Sequence, residues 1–442
     1  MTKASILIEH DSAFQHVTGR AKYTDDILEP KNILHAAIGY SNFSKGKIIK
    51  IDFTEVINSK GVVDIITEND IEGVNEVGAV FKGDPIFSSK KIQYHGQPIF
   101  AVAATSYKLA KEAASKVRIK FKESKPILSI EDALKINSFV HDPQYLKKGD
   151  ALKSIKKSKY KLKGELYSGG QDHFYLEGQI AMTIPQEDNN FLVYSSTQHP
   201  SETQQIISKV LKQKFNSINV KVRRIGGGFG GKESQSFLFA AITSIFSKKL
   251  NRAVKLRADR DDDMIITGKR HDFYYKYEVG FNEKGKILGL KVMLASRCGI
   301  SPDLSKAIND RAIYHIDNAY YIPNIDLVSY RCKTNTVSNT AFRGFGGPQG
   351  MFCIENIIEN IAQHLKTDSC IIRSNNFYGI NKNNLTPYNM KVEDNIIHDL
   401  FSELMKSSHY LKRRKEIDQY NNKNKIFKKG LSITPVKFGI SF

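Results

Sequence analysis

The chain has 442 residues, 40% of them hydrophobic and 25% charged, with a formal net charge of +20. That length exceeds one ordinary core and suggests about two to four domains, and the composition is that of a soluble globular protein, which excludes a disordered or fibrous one. Residues 1–11 hold no long apolar stretch ending at small residues, and the best uncharged apolar run, 237–246, is too short to span a bilayer; no membrane association and a cytoplasmic location are expected.

The positive charge invites a nucleic-acid reading, carried by the clusters at 153–163, 412–415 and 423–429. No zinc finger, RNP-type aromatic signature or helix-turn-helix accompanies them. A Lys-, Asn- and Ile-rich chain decorates its solvated faces in this way, so a basic nucleic-acid-binding protein is kept only as an alternative. Cys298, Cys332, Cys353 and Cys370 are widely spread with no C-x-x-C among them. Neither a zinc knuckle nor an iron–sulfur cluster has its usual ligand spacing here, and buried thiols are expected.

In chain order, residues 1–125 read as a compact mixed α/β unit. Segment 95–103 has the pattern of a turn and strand, 106–116 that of a helix, and 117–122 alternates apolar and charged residues as a half-buried strand does. The stretch 124–163, rich in Lys and Ser, is expected to connect this unit to the next. Gln198 then precedes Ser201-x-x-Gln204, which has the form of a capping box, with Ile206, Ile207, Val210, Leu211 and Phe215 following at helical spacing. Gln198 is either a helix-entry residue or an amide placed beside an oxo-type or phosphate ligand at a helix N-terminus.

Segment 218–223 alternates like a strand, and the run Arg224-Ile225-Gly226-Gly227-Gly228-Phe229-Gly230-Gly231-Lys232-Glu233 leads from it into a largely apolar helix at 234–250. Five glycines in six positions strip the backbone of Cβ atoms, so a flat or anionic group can approach the peptide N–H groups. Gly226-x-Gly228-x-x-Gly231 satisfies the dinucleotide fingerprint, but the acid required about 20 residues on is missing. The same residues nearly spell a P-loop, yet Glu233 stands where a Ser or Thr reaches magnesium, so a kinase or ATPase fails. Glu233 is either an ordinary acid in the first helical turn or a carboxyl that hydrogen-bonds a substrate beside a glycine-lined cavity.

Arg311 is a candidate bidentate donor among aromatic residues, with a surface Arg–Asp pair as its alternative. A second loop, Arg343-Gly344-Phe345-Gly346-Gly347-Pro348-Gln349, repeats the Gly-Phe-Gly-Gly core of the first. Pro348 suits a first helical position, and Met351, Ile354, Ile357, Ile358 and Ile361 form an apolar helix face. At the end, Val436, Phe438, Ile440 and Phe442 alternate with Lys437, Gly439 and Ser441, as in a strand lacking its partner.

These pieces in this order resemble the molybdenum-binding subunit of xanthine dehydrogenase, in the molybdenum hydroxylase (aldehyde oxidase–xanthine dehydrogenase) family. The resemblance covers nearly the whole chain, through 19–26, 169–177, Ser196-Thr197-Gln198, the first loop, Asp317-Asn318-Ala319-Tyr320 and 341–349. It implies an α/β (α+β) fold: an N-terminal hammerhead-like domain over 1–125, a connecting segment over 126–163, and the first part of a molybdopterin-binding domain over 164–442. It also implies Gln198, Phe229 and Arg343 at the molybdenum, and Gly228, Phe229, Gly230, Arg343 and Gly344 at the molybdopterin. Glu233, Arg311 and Phe345 would bind the substrate, and an acid with an arginine favours a purine, hypoxanthine or xanthine on the way to urate, over an aldehyde. The family hydroxylates an electron-poor ring carbon and passes electrons through 2Fe-2S clusters to FAD and NAD. This chain carries no iron–sulfur cysteines and no FAD module, so FAD-binding and iron–sulfur subunits are the expected partners. The family's subunit continues further, with its general-base glutamate, so no catalytic base is expected in this chain. The resemblance therefore implies a truncated product, a fragment or a split subunit, active with a complementary C-terminal half and otherwise an inactive remnant.

Overall fold

The computed structural model describes residues 9–439. Strand Pro98–Ala104 is buried along its whole length. A strand with no polar face needs cover on both sides, which places it inside a sheet. Ala101 and Ala103 face a core built with Phe237, Ala240 and Ala241, while Phe100 and Val102 face a second core with Val56 and Ala113. Helix Tyr107–Ala114, capped by Ser106 at the Leu109 N–H, covers that second side. A half-buried strand, Arg118–Glu123, pairs with Gly46–Asp52 in a small three-stranded sheet.

The main sheet has seven strands in the order Ile218–Lys221, Phe191–Ser195, Ile180–Pro185, Val254–Arg257, Leu34–Tyr40, Pro98–Ala104 and Val62–Ile66. Leu34 and Ala36 align in parallel with Val254 and Leu256, so one sheet joins the N-terminal unit to the later part of the chain. Helix Ser236–Leu250 lies across it, buried on nearly every side. A helix in that position is largely apolar, and Phe237, Phe239, Ile242 and Phe246 make it so, while its buried Thr243 and Ser244 hydroxyls are hydrogen-bonded to Thr183 and to the Ala240 carbonyl.

A second sheet orders Phe139–Lys148, Ile325–Lys333, Ile287–Gly299, Phe273–Phe281 and Tyr160–Ser168. Helix Gly347–Leu365 buries Ile354, Ile357, Ile358 and Ile361 against it, and helix Ser305–Tyr314 adds Ala312 and Ile313.

The stretch 124–163 is therefore more than a connection. It supplies both edge strands of the second sheet and the short helices Ile130–Lys135 and Ala151–Lys157. Its Lys residues alternate with apolar ones in Tyr160–Ser168, an edge-strand pattern that its composition disguised. The capping box at Ser201 does not form. Pro200 takes the first helical turn, His199 becomes the cap residue, and the helix runs Pro200–Val210. Gln204 reaches instead to the carbonyls of Phe215 and Ile218, and Phe215 falls in a separate short turn, Phe215–Ser217. Glu233 precedes the helix at Ser236 rather than lying in its first turn. Residues 436–439 form no strand, because Asn318, His315 and Arg311 satisfy their backbone groups; Ile440, Ser441 and Phe442 lie outside the described residues. All four cysteines are buried as free thiols. Among the described residues no helix is long and apolar enough to cross a membrane.

Two expectations follow. Ile358→Ala removes a fully buried side chain from the second core and should lower stability by about 2–5 kcal/mol in urea unfolding, whereas Leu176→Ala at an exposed site should change it by no more than about 0.5 kcal/mol. The second concerns the interface where Asp84 accepts from Ser301 at 2.6 Å and from Ser338 at 2.9 Å. Asp84 keeps some exposed surface, but both carboxylate oxygens turn inward to these buried serines. Burial and then the neighbouring Asp303 push Asp84 up to about 7, and burial pushes Asp303 to about 6. Because these folded values lie above the unfolded one, the native state holds extra protons from about pH 4 to 7, and stability falls as pH rises through that window. The melting midpoint should drop between pH 5 and 7, with a shallower slope in Asp303→Asn.

Candidate functional site

Each glycine loop leaves one sheet and enters the helix that covers it, so the two loops meet at the seam between the layers. The contact is a backbone bond: the Arg343 N–H donates to the Phe229 carbonyl at 2.8 Å. The loops also share a conformation. Phe229 has φ 54° and Phe345 has φ 49°, and each is followed by a glycine at φ 100° or 94°. A phenylalanine in left-handed backbone is strained and persists only where its surroundings fix it. Gly230 shows the constraint most directly, because a Cβ there would lie 2.7 Å from the Ala341 carbonyl oxygen of the other loop.

Side chains from outside the loops hold this arrangement. The Gln198 carboxamide oxygen accepts from the Gly230 N–H at 2.8 Å and the Lys232 N–H at 3.3 Å, while its backbone N–H donates to Lys232 O. A Cβ on Gly228 would meet that same carboxamide oxygen at 2.4 Å. Burial lowers His173 to about 4, so its ring is neutral at pH 7 and Nε2–H donates to the Ala341 carbonyl at 2.6 Å. Phe342 stacks on the His173 ring at 4.6 Å and lies under the Arg270 guanidinium at 3.9 Å, and Arg270 donates to the Arg343 carbonyl and to Gln171.

The loops floor an open cavity of about 470 Å³ lined by Gln198, Phe229, Gly230, Glu233, Arg311, Arg343, Gly344 and Phe345, with Ala341, Phe342, Phe438 and Gly439 completing the wall. All of the residues anticipated from the sequence reach it except Gly228, which lies directly behind, against Gln198. Glu233 is half-buried, and desolvation raises its carboxyl pKa against the opposing pull of His199. Arg311 comes from helix Ser305–Tyr314 of the other layer; its guanidinium lies 4.5 Å from the Phe438 ring centroid and donates to the Gly439 carbonyl. Phe438 was missed in the sequence because alternation suggested a strand. Its neighbour Lys437 pairs with the fully buried Asp317, a long-range contact that leaves no local signal in the sequence. Lys232, the P-loop lysine by spacing, points away from the cavity into the protein and donates to Glu177 O and Ser196 Oγ.

Chemically, the cavity offers what a flat, anionic, metal-bearing group needs. Bare backbone supplies close approach, the exposed Arg343 supplies positive charge, and Gln198 has its oxygen engaged, which leaves Nε2 as the donor on the cavity side. Among the described residues no group of three or more His, Cys, Asp and Glu side chains could hold a metal ion. The residues present fit a metal held on its own organic ligand, with Gln198 Nε2, Arg343 and the bare backbone facing that ligand.

The comparisons with known proteins point the same way. Residues 135–377 match the family model of the molybdopterin cofactor-binding domain, and residues 18–125 match the a/b hammerhead domain of aldehyde oxidase and xanthine dehydrogenase. The chain is 38% identical over 436 residues to xanthine dehydrogenase of Calliphora vicina, and 41% identical over 438 residues to xanthine dehydrogenase 1 of Arabidopsis thaliana. It is also 38% identical over 442 residues to a nicotinate hydroxylase of Emericella nidulans. Each alignment covers 98% of this chain and 32% of the relative, so the chain spans about a third of the length of these relatives. Among solved structures, aldehyde oxidoreductase from Desulfovibrio desulfuricans superposes with a TM-score of 0.86 at 23% identity, over 93% of this chain and 47% of that one. Quinoline 2-oxidoreductase from Pseudomonas putida superposes at 0.85 and 19% identity, over 94% of this chain and 55% of that one; both likenesses concern the fold. By its two matched domains, the chain belongs to the aldehyde oxidase and xanthine dehydrogenase family of molybdopterin-binding proteins.

Proposed function

We propose that this chain forms the part of a xanthine dehydrogenase-type molybdenum hydroxylase that seats the molybdopterin and receives a purine, hypoxanthine or xanthine. The observation that carries the reading is the meeting of Glu233 and Arg311, from different layers, in one cavity with Gln198, Phe229, Arg343 and Phe345. An aldehyde needs no such pair, whereas a heterocycle with ring nitrogens and carbonyls can use both a carboxyl and a guanidinium.

Gln198 and Arg343 would hold the cofactor's oxygen-rich end by donating hydrogen bonds, and Gly228, Phe229, Gly230 and Gly344 would let its flat ring lie on the backbone. Bound there, the molybdenum–pterin group supplies oxygen transfer and accepts an electron pair. The chain's own work is to bind, orient and stabilise. Phe345 provides a ring face for the substrate. Glu233, with its carboxyl pushed up by burial, can accept or donate a hydrogen bond to a ring nitrogen or carbonyl. Arg311 stays cationic and would sit where negative charge grows on the heterocycle as it is attacked, an effect worth several kcal/mol. The general base, the 2Fe-2S clusters, FAD and the acceptor NAD would come from the remainder of such an assembly, working in the cytoplasm.

Metal and pterin analysis of the chain purified with its assembly partners tests the reading, and absence of both would overturn it. In the assembled enzyme, Arg311→Met should reduce purine turnover by about 10²-fold and Glu233→Ala by about 10-fold or more, with molybdenum per chain unchanged; loss of metal in either would make the residue structural instead. Gly230→Ala should do the opposite, since its Cβ collides with Ala341 O and the residue sits at positive φ. It should cost about 1–3 kcal/mol of stability and lower pterin content in acid extracts.

A further inference from the structure

On the reverse side of the first glycine loop, away from the candidate site, a separate cavity of about 500 Å³ is lined by Tyr23, Asp25, Glu177, Gly226, Gly227 and Arg257. Glu177 is the centre of this region. Its carboxylate accepts from the Gly226 N–H at 2.7 Å, from Ser196 Oγ at 2.6 Å and from the Thr24 N–H at 3.0 Å. Its backbone N–H donates to Gly226 O at 3.1 Å, and its backbone carbonyl accepts from Lys232 Nζ at 2.6 Å. One residue therefore grips the loop where it begins, at Gly226, and where it ends, at Lys232.

The contacts are built to be unique. The Lys232 side chain is wholly buried, lies 4.5 Å from the Tyr175 ring centroid, donates to Ser196 Oγ at 2.6 Å and stands 3.7 Å from the Glu177 carboxylate. A Cβ on Gly226 would come within 2.4 Å of the Glu177 Cβ, so the two residues pack without a gap. Removing one partner of such a buried pair leaves the other charge without compensation. Thr24 opens a short turn, Thr24–Asp26, that is docked on the main sheet by the Asp25 pairs with Lys255 and Arg257.

We propose that Glu177, through Lys232, is the positioning residue of the first glycine loop, and that it couples the geometry of that loop to the docking of the N-terminal segment around Thr24. Glu177 does not line the candidate site, so it acts only through Gly226 to Lys232 and the Gln198 bonds that follow. The consequence for cofactor seating rests on the reading under Proposed function; the coupling does not.

Peptide-resolved hydrogen exchange on the full chain, without cofactor, tests the coupling. In Glu177→Gln, amides in 20–29 and in 224–233 should both exchange about tenfold faster or more, as expected when charge-assisted bonds are lost, while 350–362 keeps its protection. Gln198→Ala, which releases the loop from the other side, should speed 228–233 alone. Should Glu177→Gln lose its fold, Thr24→Pro serves, because it deletes the N–H given to Glu177, together with the Thr24 side chain, at a turn position that tolerates proline and leaves Glu177 itself in place. Faster exchange in 224–233 of that variant is the expected result. Unchanged exchange in 224–233 of either variant, or faster exchange in 224–233 with 20–29 left at its wild-type rate in Glu177→Gln, overturns the proposal. Pterin content is read separately: a wild-type assembly without pterin would sink the cofactor reading and leave the exchange result standing.

Discussion

The hydrogen bond from the Arg343 N–H to the Phe229 carbonyl is the point on which the rest of the site depends. It joins two loops that belong to different sheets and different cores, so it also registers the two layers against each other. The backbone does it directly, and this is possible only because glycines let two chains come within hydrogen-bonding distance where any larger residue would intervene. Ala341, Gly230 and Phe229 are thus fixed by the same contact that brings Glu233 and Arg311 to one cavity.

A glycine-rich segment loses more conformational freedom on folding than any other, so its order has to be imposed by its neighbours. Here the neighbours are polar and buried. Gln198 holds the cavity side of the first loop, Glu177 and Lys232 hold its reverse, and His173 with Arg270 holds Ala341, Phe342 and Arg343 of the second. Buried hydrogen-bonded groups add little net stability compared with apolar ones, but they admit few alternative arrangements. A site that must present N–H groups and strained phenylalanines in one geometry gains more from that restriction than from added apolar contact.

Much of this was legible in the sequence because the signals were local. Glycine density marked both loops, the Ile354, Ile357, Ile358, Ile361 spacing marked the helix behind the second, Glu233 stood at the end of the first loop, and Arg311 stood out as a cation in an aromatic segment between the loops. What stayed hidden was set by distance along the chain. The strands Phe139–Lys148 and Tyr160–Ser168 carry lysines on their solvent faces and read as a linker until the second sheet gives them a partner. Ser201 lost its capping role because Pro200 started the helix two residues earlier than that cap implies. Phe438 took on its role because residues 315, 317 and 318, more than a hundred positions away, captured the backbone and the lysine beside it. Glu177 and Lys232 lay inside recognised motifs, yet nothing in one dimension says that they face away from the cavity.

The placement of Glu233 and Arg311 on separate layers also has a chemical consequence. Glu233 rides on the first loop, whose geometry is set by Gln198 and Lys232, while Arg311 rides on a helix anchored in the second core by Ala312 and Ile313. Burial acts oppositely on the two groups in effect. It raises the carboxyl of Glu233 and lowers the Arg311 guanidinium, which starts so high that it keeps its charge in the same surroundings. The cavity therefore presents an adaptable hydrogen-bonding group opposite a permanent cation. The arginine end favours a group that carries or gains negative charge, and the other end favours one that offers hydrogen-bond donors and acceptors.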